Sequence, residues 1–262
     1  MSNTTPGKSI IQRHGAIALI MSLGLLVAGC HAAPTTQESQ QVTSTSIASE
    51  TLSTRQQAIV PIAAFAAKGD LARLNGALNQ GLDAGLTVTD VREVLVQLYA
   101  YAGFPRSLNA LGELMQVLET RRQRGIEDAP GHAPSRPIPT GAALLSAGTA
   151  NQTKLAGGAV KGPLFDFAPA IDEYLKTHLF GDIFERDNLD WQSREIATVA
   201  MLAAMPGVEP QLQAHMRISM NVGLTESHLR QLGQVLADRV DADSATRAHD
   251  ALDKQVAAKS VR

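Results

Sequence analysis

Residues 85–105, GLTVTDVREVLVQLYAYAGFP, contain the local signals that decide the fold. Thr87 is a typical helix N-cap, and Asp90 follows three positions later, where a capping-box acid is expected. The next apolar side chains recur at the spacing of one buried helix face: Val91, Val94, Leu95 and Leu98. Gly103 then ends the helix and Pro105 opens another, because glycine suits a helix end and proline suits a first turn. This stretch predicts a helix, a turn and a second helix.

The same helical pattern extends on both sides of this stretch. Apolar stripes predict helices that end at Gly69, Gly85 and Gly125, and the pattern returns from Pro169 to about residue 258. No segment alternates apolar and polar residues in the way that a half-buried strand does. Aromatic residues make up only 4% of the 262 residues, so the core must consist mainly of Ala, Leu, Val, Ile and Met. We predict an all-α fold.

Residues 126–168 differ in composition from the helical stretches around them. They are rich in glycine and contain a series of prolines: Pro130, Pro134, Pro137, Pro139 and Pro163. Proline removes a backbone donor and breaks a helix interior, so no long helix is expected here. Two interpretations stay open, a solvated linker or a long ordered loop, and long loops inside compact proteins are often functional.

The helical stretches contain an internal repeat. A shift of 138 positions carries the Gly-Leu-Thr of residues 85–87 onto the Gly-Leu-Thr of residues 223–225. The same shift carries Gly69 onto Gly207, and both copies read helix, glycine turn, helix, Gly-Leu-Thr, helix. Few residues are identical, but the glycines that end helices and the residues that cap them occur in the same order in both copies. We predict two tandem copies.

Motifs in both copies resemble one known family. The first copy runs from the Gly-Leu-Thr of residues 85–87 to Tyr101-Ala-Gly-Phe-Pro105, which resembles the family's G-L-T … Y-x-G-x-P run. The second copy has Leu189, Arg194-Glu195, Thr198, Ala200, His215 and Asn221-Val-Gly-Leu-Thr225, which resemble its L-x-x-x-x-R-E … T-x-A … H … n-x-G-x-T run. On these motifs the chain resembles the carboxymuconolactone decarboxylase family and its relatives, the alkyl-hydroperoxidase D proteins.

The resemblance implies a domain organisation and an assembly. It implies two alkyl-hydroperoxidase D-like helical units, placed here at residues 51–125 and 169–258 and joined by residues 126–168. Members of the family usually assemble into rings or trimers, so a homo-oligomer is expected. The length then corresponds to two small units rather than one large domain.

The resemblance also implies a composite site. Glu195 and His215 occupy the positions of the family's acid/base pair, whereas the same positions in the first copy hold Gln57 and Ala77. The first copy keeps the tyrosine-rich turn that the second lacks, and Tyr101 is expected to form one wall of the site. Tyr99 lies on a different helix face, so only one of the two tyrosines is expected there.

Decarboxylation of a small organic acid or lactone needs a cation for the carboxylate and a proton donor for the enolate that remains. His215 suits the proton transfer because its ordinary pKa lies near neutrality, and Glu195 would orient it. Arg106 or Arg194 would hold the carboxylate, because a guanidinium offers a bidentate fork. His178, in a stretch that also resembles the family, is a further candidate for substrate binding. No cofactor is expected. His178, Asp182 and His215 could together suggest a metal site, but the sequence has no H-x-x-x-H or comparable metal-binding motif there, so none is predicted.

Alternatives to catalysis remain open from the sequence. Glu195 and His215 lie about 7 Å apart along the axis of a helix hairpin that turns at residues 206–207, so spacing alone does not prove contact. Glu195 would otherwise form an ordinary salt bridge, and His215 would be a core histidine. A non-catalytic protein that binds a small molecule or serves in assembly is the main rival. Peroxidase activity is disfavoured, because the only cysteine, Cys30, lies far from His215.

The N-terminus predicts export and a lipid anchor. Residues 1–15 contain two basic residues and no acid, and residues 16–28, AIALIMSLGLLVA, are apolar but too short to span a bilayer comfortably. Residues 27–30, Val-Ala-Gly-Cys, resemble a bacterial lipobox, so residues 1–29 are predicted to be a signal peptide and Cys30 the lipidated residue. The Ser/Thr/Gln-rich residues 30–50 are predicted to be a flexible tether. We expect an extracytoplasmic, membrane-anchored protein. Its net charge of −2 indicates no nucleic-acid partner.

Overall fold

The computed structural model describes residues 50–260, with side chains to residue 258. The predicted signal peptide, Cys30 and nearly all of the tether lie outside the described residues. Within residues 50–260 the chain forms helices and no strands, which confirms the predicted all-α class. None of these helices is both long enough and apolar enough to cross a membrane.

The first copy forms five helices: α1 Thr54–Lys68, α2 Leu71–Asp83, α3 Val88–Gln97, α4 Tyr99–Ala102 and α5 Phe104–Gln123. The capping box predicted at the start of α3 is present. The Asp90 amide donates to Thr87 Oγ1 at 3.1 Å, and the Thr87 amide donates to Asp90 Oδ2 at 2.7 Å. Gly69 ends α1 with a φ of 72°, a left-handed conformation that glycine adopts without strain.

The segment between the copies begins against the first copy and contains a long helix that packs against the second copy. The amides of Val88 and Thr89 donate to the carbonyls of Ala129 and Pro130 at 2.9 and 3.1 Å. Helix α6, Gly141–Ala156, has 16 residues, and a short helix α7, Pro163–Phe167, follows it. The prediction that no long helix forms here is wrong. Residues 140–162 contain no proline, so the helix forms between Pro139 and Pro163.

The second copy comprises α8 Pro169–Tyr174, a π-helix Leu175–Ile183, α9 Trp191–Ala203, α10 Glu209–Asn221, α11 Glu226–Arg239 and α12 Ala242–Ser260. The predicted repeat is visible in the helix bounds. The shift of 138 residues carries both ends of α2 onto the ends of α10. It also carries the start of α1 to within one residue of the start of α9, and the end of α1 to three residues beyond the end of α9.

The two copies share one hydrophobic core. Helices α1 and α9 pack against each other, and both are buried along most of their length. A single cluster of buried side chains includes Ile59 and Ile62 from the first copy and Ile196 and Met201 from the second. The described residues 50–260 accordingly belong to one compact unit. The two predicted tandem units therefore share one core, because each copy buries its central helix against the other.

Candidate active site

Glu195 and His215 form a buried pair at the contact between two helices of the second copy. Asp190 caps the start of α9 by accepting the Ser193 amide at 2.8 Å, which fixes the phase of the helix that presents Glu195 inward. Helix α10 packs on α9 and brings His215 Nδ1 to 2.8 Å from Glu195 Oε2. Glu195 is fully buried, and His215 is 7% exposed. The two helices cross at an angle that brings the Glu195 and His215 side chains into contact, despite the axial separation expected from their spacing.

The pairing fixes which nitrogen of His215 is available for chemistry. An ionised carboxylate only accepts hydrogen bonds, so Nδ1 carries the proton that faces Glu195. Nε2 is then the ring nitrogen that keeps an open lone pair. The pair has the composition of an acid/base group with its orienting acid.

Tyr101 brings the first copy into this site. Its ring packs edge-on against the imidazole of His215, with the ring centroids 5.5 Å apart and an interplanar angle of 78°. Burial, reinforced by the nearby Glu195 carboxylate, raises the pKa of Tyr101 well above its usual value, so the hydroxyl remains a neutral donor. Tyr99 points elsewhere and stacks on Phe104 with the centroids 4.7 Å apart. The two tyrosines diverge as their positions on the helix predict.

Three buried polar atoms around the pair lack a hydrogen-bond partner among the described residues: Glu195 Oε1, Tyr101 Oη and Ser219 Oγ. Unsatisfied buried groups are rare in folded proteins and mark places where strain, water or a ligand is accommodated. Ser219 follows His215 by one helical turn on the same helix face and is fully buried. The sequence interpretation missed Ser219, although its spacing of four residues from His215 is a usable signal.

An open cleft of about 620 Å³ adjoins the pair through Tyr101. Its lining also includes Arg106, Lys68 and the turn after α9. Lys68 donates to Asp241 at 2.8 Å, which neutralises it. Arg106 is exposed and forms no ion pair with any residue in the described part of the chain. Arg106 is therefore the cation in the cleft that an incoming carboxylate can reach.

Comparison with known proteins identifies the family. The model of the carboxymuconolactone decarboxylase family matches residues 39–115 and 169–254, which together cover more than half of the chain. The chain belongs to this family. It is 30% identical over 69 residues to the 4-carboxymuconolactone decarboxylase of Acinetobacter baylyi, a match that covers 26% of the chain and 51% of that relative. The chain thus spans about half the length of this curated relative.

The two family matches agree with the predicted tandem arrangement. The second match begins at residue 169, where the second unit was predicted to begin, and the first ends at residue 115, inside α5. Residues 116–168, which include α6 and α7, lie outside both matches. These residues connect the two family units.

Arg194 is held inside the fold rather than in the cleft. Its side chain is fully buried, and its Nη2 donates to Glu93 Oε2 and to the carbonyl of Arg186, both at 3.0 Å. Its Nη1 donates to Gln97 Oε1 at 3.3 Å. Burial lowers the pKa of Arg194, and the facing Glu93 carboxylate opposes that effect. With these contacts in place, the guanidinium fork predicted to bind substrate is occupied by protein groups.

His178 also lies away from the Glu195–His215 pair. It is exposed on the π-helix, where its Nδ1 lies 3.0 Å from Asp182 Oδ2 and its ring lies 5.6 Å from that of Tyr174. It does not line the cleft that contains Arg106. In residues 50–258, no three His, Cys, Asp or Glu side chains come together as a metal site requires. Of the six predicted site residues within the described chain, the structure brings Glu195, His215, Tyr101 and Arg106 to one region.

Proposed function

We propose that the protein is a carboxymuconolactone decarboxylase-like enzyme that acts on a small organic acid or lactone by acid/base chemistry. The observation that supports this most directly is the buried Glu195–His215 contact of 2.8 Å, adjoined by Tyr101 of the other copy. Membership of the family supports the same reaction class. The substrate class comes from the name of the curated relative.

The reaction in this proposal assigns one role to each group. Arg106 binds a carboxylate of the substrate in the cleft and orients it. The bond between the substrate carbon and the departing carboxyl carbon breaks, carbon dioxide leaves, and the electron pair remains on the substrate as an enolate. His215 Nε2 delivers the proton that quenches the enolate, while Glu195 stabilises the imidazolium form that donates it. The Tyr101 hydroxyl donates a hydrogen bond to a developing negative charge.

The proposal extends to where the protein works and in what assembly. We place it outside the cytoplasm of a bacterium, anchored to a membrane through lipid on Cys30, because of the lipobox-like residues 27–30. Incorporation of labelled palmitate that is lost in Cys30→Ser would support this placement, and equal labelling of both forms would refute it.

We propose a homo-oligomer because α5 presents an apolar stripe to solvent. Phe104, Leu108 and Met115 are 63%, 62% and 72% exposed, and they lie on one face of the helix. Sedimentation of the full chain tests this proposal, and Met115→Asp should shift an assembly toward monomers. A wild-type chain that sediments as a monomer would refute the proposal.

The activity is tested directly with 4-carboxymuconolactone as the first probe and release of carbon dioxide as the readout. We expect Glu195→Gln and His215→Asn each to lower kcat at least about a hundredfold, because a positioned acid/base group contributes at least that much. Matched controls are Glu119→Gln and His132→Asn, which change an exposed helix carboxylate and an exposed loop histidine. The controls should keep wild-type turnover, and all four variants should unfold cooperatively.

Two results would redirect the assignment. Unchanged turnover in both Glu195→Gln and His215→Asn would refute the acid/base site. Binding of the lactone without turnover, in the wild type and in the double variant alike, would favour a binding protein. A peroxidase reaction through a redox dithiol is not supported, because Cys30 is the only cysteine in the chain.

A further inference from the structure

A second cavity lies in the segment that separates the two family units. It has a volume of about 730 Å³. It is bounded by one face of α6, by residues 159–162, by α7 and by the start of the second copy. Most of its lining residues fall between the two stretches that match the family model. None of them lines the cleft beside Tyr101. The cavity is therefore separate from the proposed decarboxylase site.

Gln152 is a buried side chain of this cavity with unused hydrogen-bonding capacity. It is 4% exposed and contributes to the lining, yet its carboxamide makes no hydrogen bond to any residue in the described chain. The adjacent Asn151 shows the usual situation, since its Nδ2 donates to the carbonyl of Phe180 at 2.9 Å and to Glu185 at 2.7 Å. The carboxamide makes no protein hydrogen bond and contributes to the cavity lining, so both its donor and its acceptor are available to a molecule that occupies the cavity.

Asp172 supplies a second unused acceptor. Its Oδ2 is bound by the ammonium group of Lys176, whereas its Oδ1 is buried and has no hydrogen-bond partner in residues 50–258. Among the described residues, two lysines and two aspartates line the cavity, so their formal charges cancel. The ring of Phe165 adds an apolar wall. The cavity thus combines donors and acceptors with no net charge.

We propose that this cavity binds a neutral polyhydroxylated ligand, a sugar or a related polyol. Each hydroxyl both donates and accepts, so neighbouring hydroxyls satisfy the two halves of the Gln152 carboxamide together. A further hydroxyl donates to Asp172 Oδ1, and Lys161 donates at the rim. The ring of Phe165 packs against the apolar face of the ligand. An anion fits less well, because the two aspartates offset the two lysines.

The test is a titration of the ¹⁵N-labelled full chain with sucrose and with myo-inositol, well into the millimolar range. The side-chain amide signals of Gln152, assigned by their loss in Gln152→Leu, should shift with at least one of these probes. Gln152→Leu should weaken binding at least fivefold. Gln116→Leu, which removes an exposed carboxamide from α5, should leave binding unchanged. Asp172→Asn, which removes an acceptor charge contributed by α8, should also weaken binding.

Other outcomes overturn the proposal. If sodium phosphate moves the Gln152 signals and neither polyol does, the class of ligand is wrong. If no probe moves them, or if the polyol binds equally well to Gln152→Leu and Asp172→Asn, the cavity is not the binding site. Decarboxylase activity serves as an independent readout, because Gln152→Leu leaves the Glu195–His215 contact in place.

Discussion

Glu93→Gln tests the buried charge pair that joins the two copies. Glu93 is 1% exposed and accepts hydrogen bonds from Arg186 at 2.7 and 2.9 Å, from Arg194 at 3.0 Å and from Asn188 at 3.1 Å. A glutamine keeps the size of the side chain but removes the charge, so Arg194 is left fully buried without a counter-ion. Breaking a buried pair from one side costs about 3–5 kcal/mol. Because glutamine retains one acceptor, we expect a loss near 3 kcal/mol.

The assay is urea unfolding of the full chain. Trp191, the only tryptophan of the chain, reports on the start of α9 by fluorescence, and far-ultraviolet circular dichroism reports on the helices. With a slope of about 2–3 kcal/mol/M, the expected loss lowers the midpoint by roughly 1 M or more. Glu119→Gln, which changes an exposed carboxylate paired with Arg122, should change stability by less than about 0.5 kcal/mol.

The double variant Glu93→Gln/Arg194→Met separates a buried charge from a lost contact. Replacing the guanidinium by an apolar chain removes the uncompensated charge, so we expect recovery of most of the stability that Glu93→Gln loses. A loss below about 1 kcal/mol in Glu93→Gln would refute the reasoning. The reasoning would also be refuted if Arg194→Met had normal stability and raised only KM, because Arg194 would then be a substrate-binding group.

Two further predictions concern pH and backbone spacing. Burial alone would raise the pKa of Glu93, but hydrogen bonds from Arg186 and Arg194 outweigh it and lower that pKa from 4.5 to about 2. The resulting stability is present above about pH 4.5 and should be lost as pH falls toward 2, so urea midpoints should fall less steeply in Glu93→Gln. A Cβ at Gly148 would lie 1.7 Å from the Lys176 carbonyl oxygen. Gly148→Ala should therefore lower the free energy of unfolding, measured in urea, by at least about 1 kcal/mol. Gly76→Ala, with open space around it in α2, should instead raise stability by about 0.5–1 kcal/mol. Equal acid profiles, or equal effects of the two alanines, would contradict these expectations.

The helices could be predicted from the sequence because their signals are local. The Thr87–Asp90 capping box and the Gly69 cap act within a few residues of the positions that they specify. Helix α6 was missed because the prolines around it dominated the composition of the segment, although none lies within residues 140–162. A pattern averaged over a long segment cannot locate a helix that fits between its breakers.

The site was predictable only in part, because its contacts join residues that are distant in the sequence. The axial spacing of Glu195 and His215 gave an offset but not the crossing of α9 and α10, which determines their contact. Arg106 and Arg194 were equivalent candidates from the sequence. They differ because Arg194 pairs with the Glu93 carboxylate, which lies 101 residues away in the sequence. No local sequence pattern predicts that contact. The unsatisfied carboxamide of Gln152 is likewise a property of the folded chain.

The Glu93–Arg194 pair has a consequence for dividing the chain. Glu93 belongs to the first copy and Arg194 to the second, and α1 and α9 bury each other. Separately expressed halves, cut within the exposed residues 135–137, would each carry half of an ion pair and an uncovered helix face. Neither half is expected to fold alone, but together they should reassociate by fragment complementation. The covalent link between the copies would then be dispensable once both halves have met.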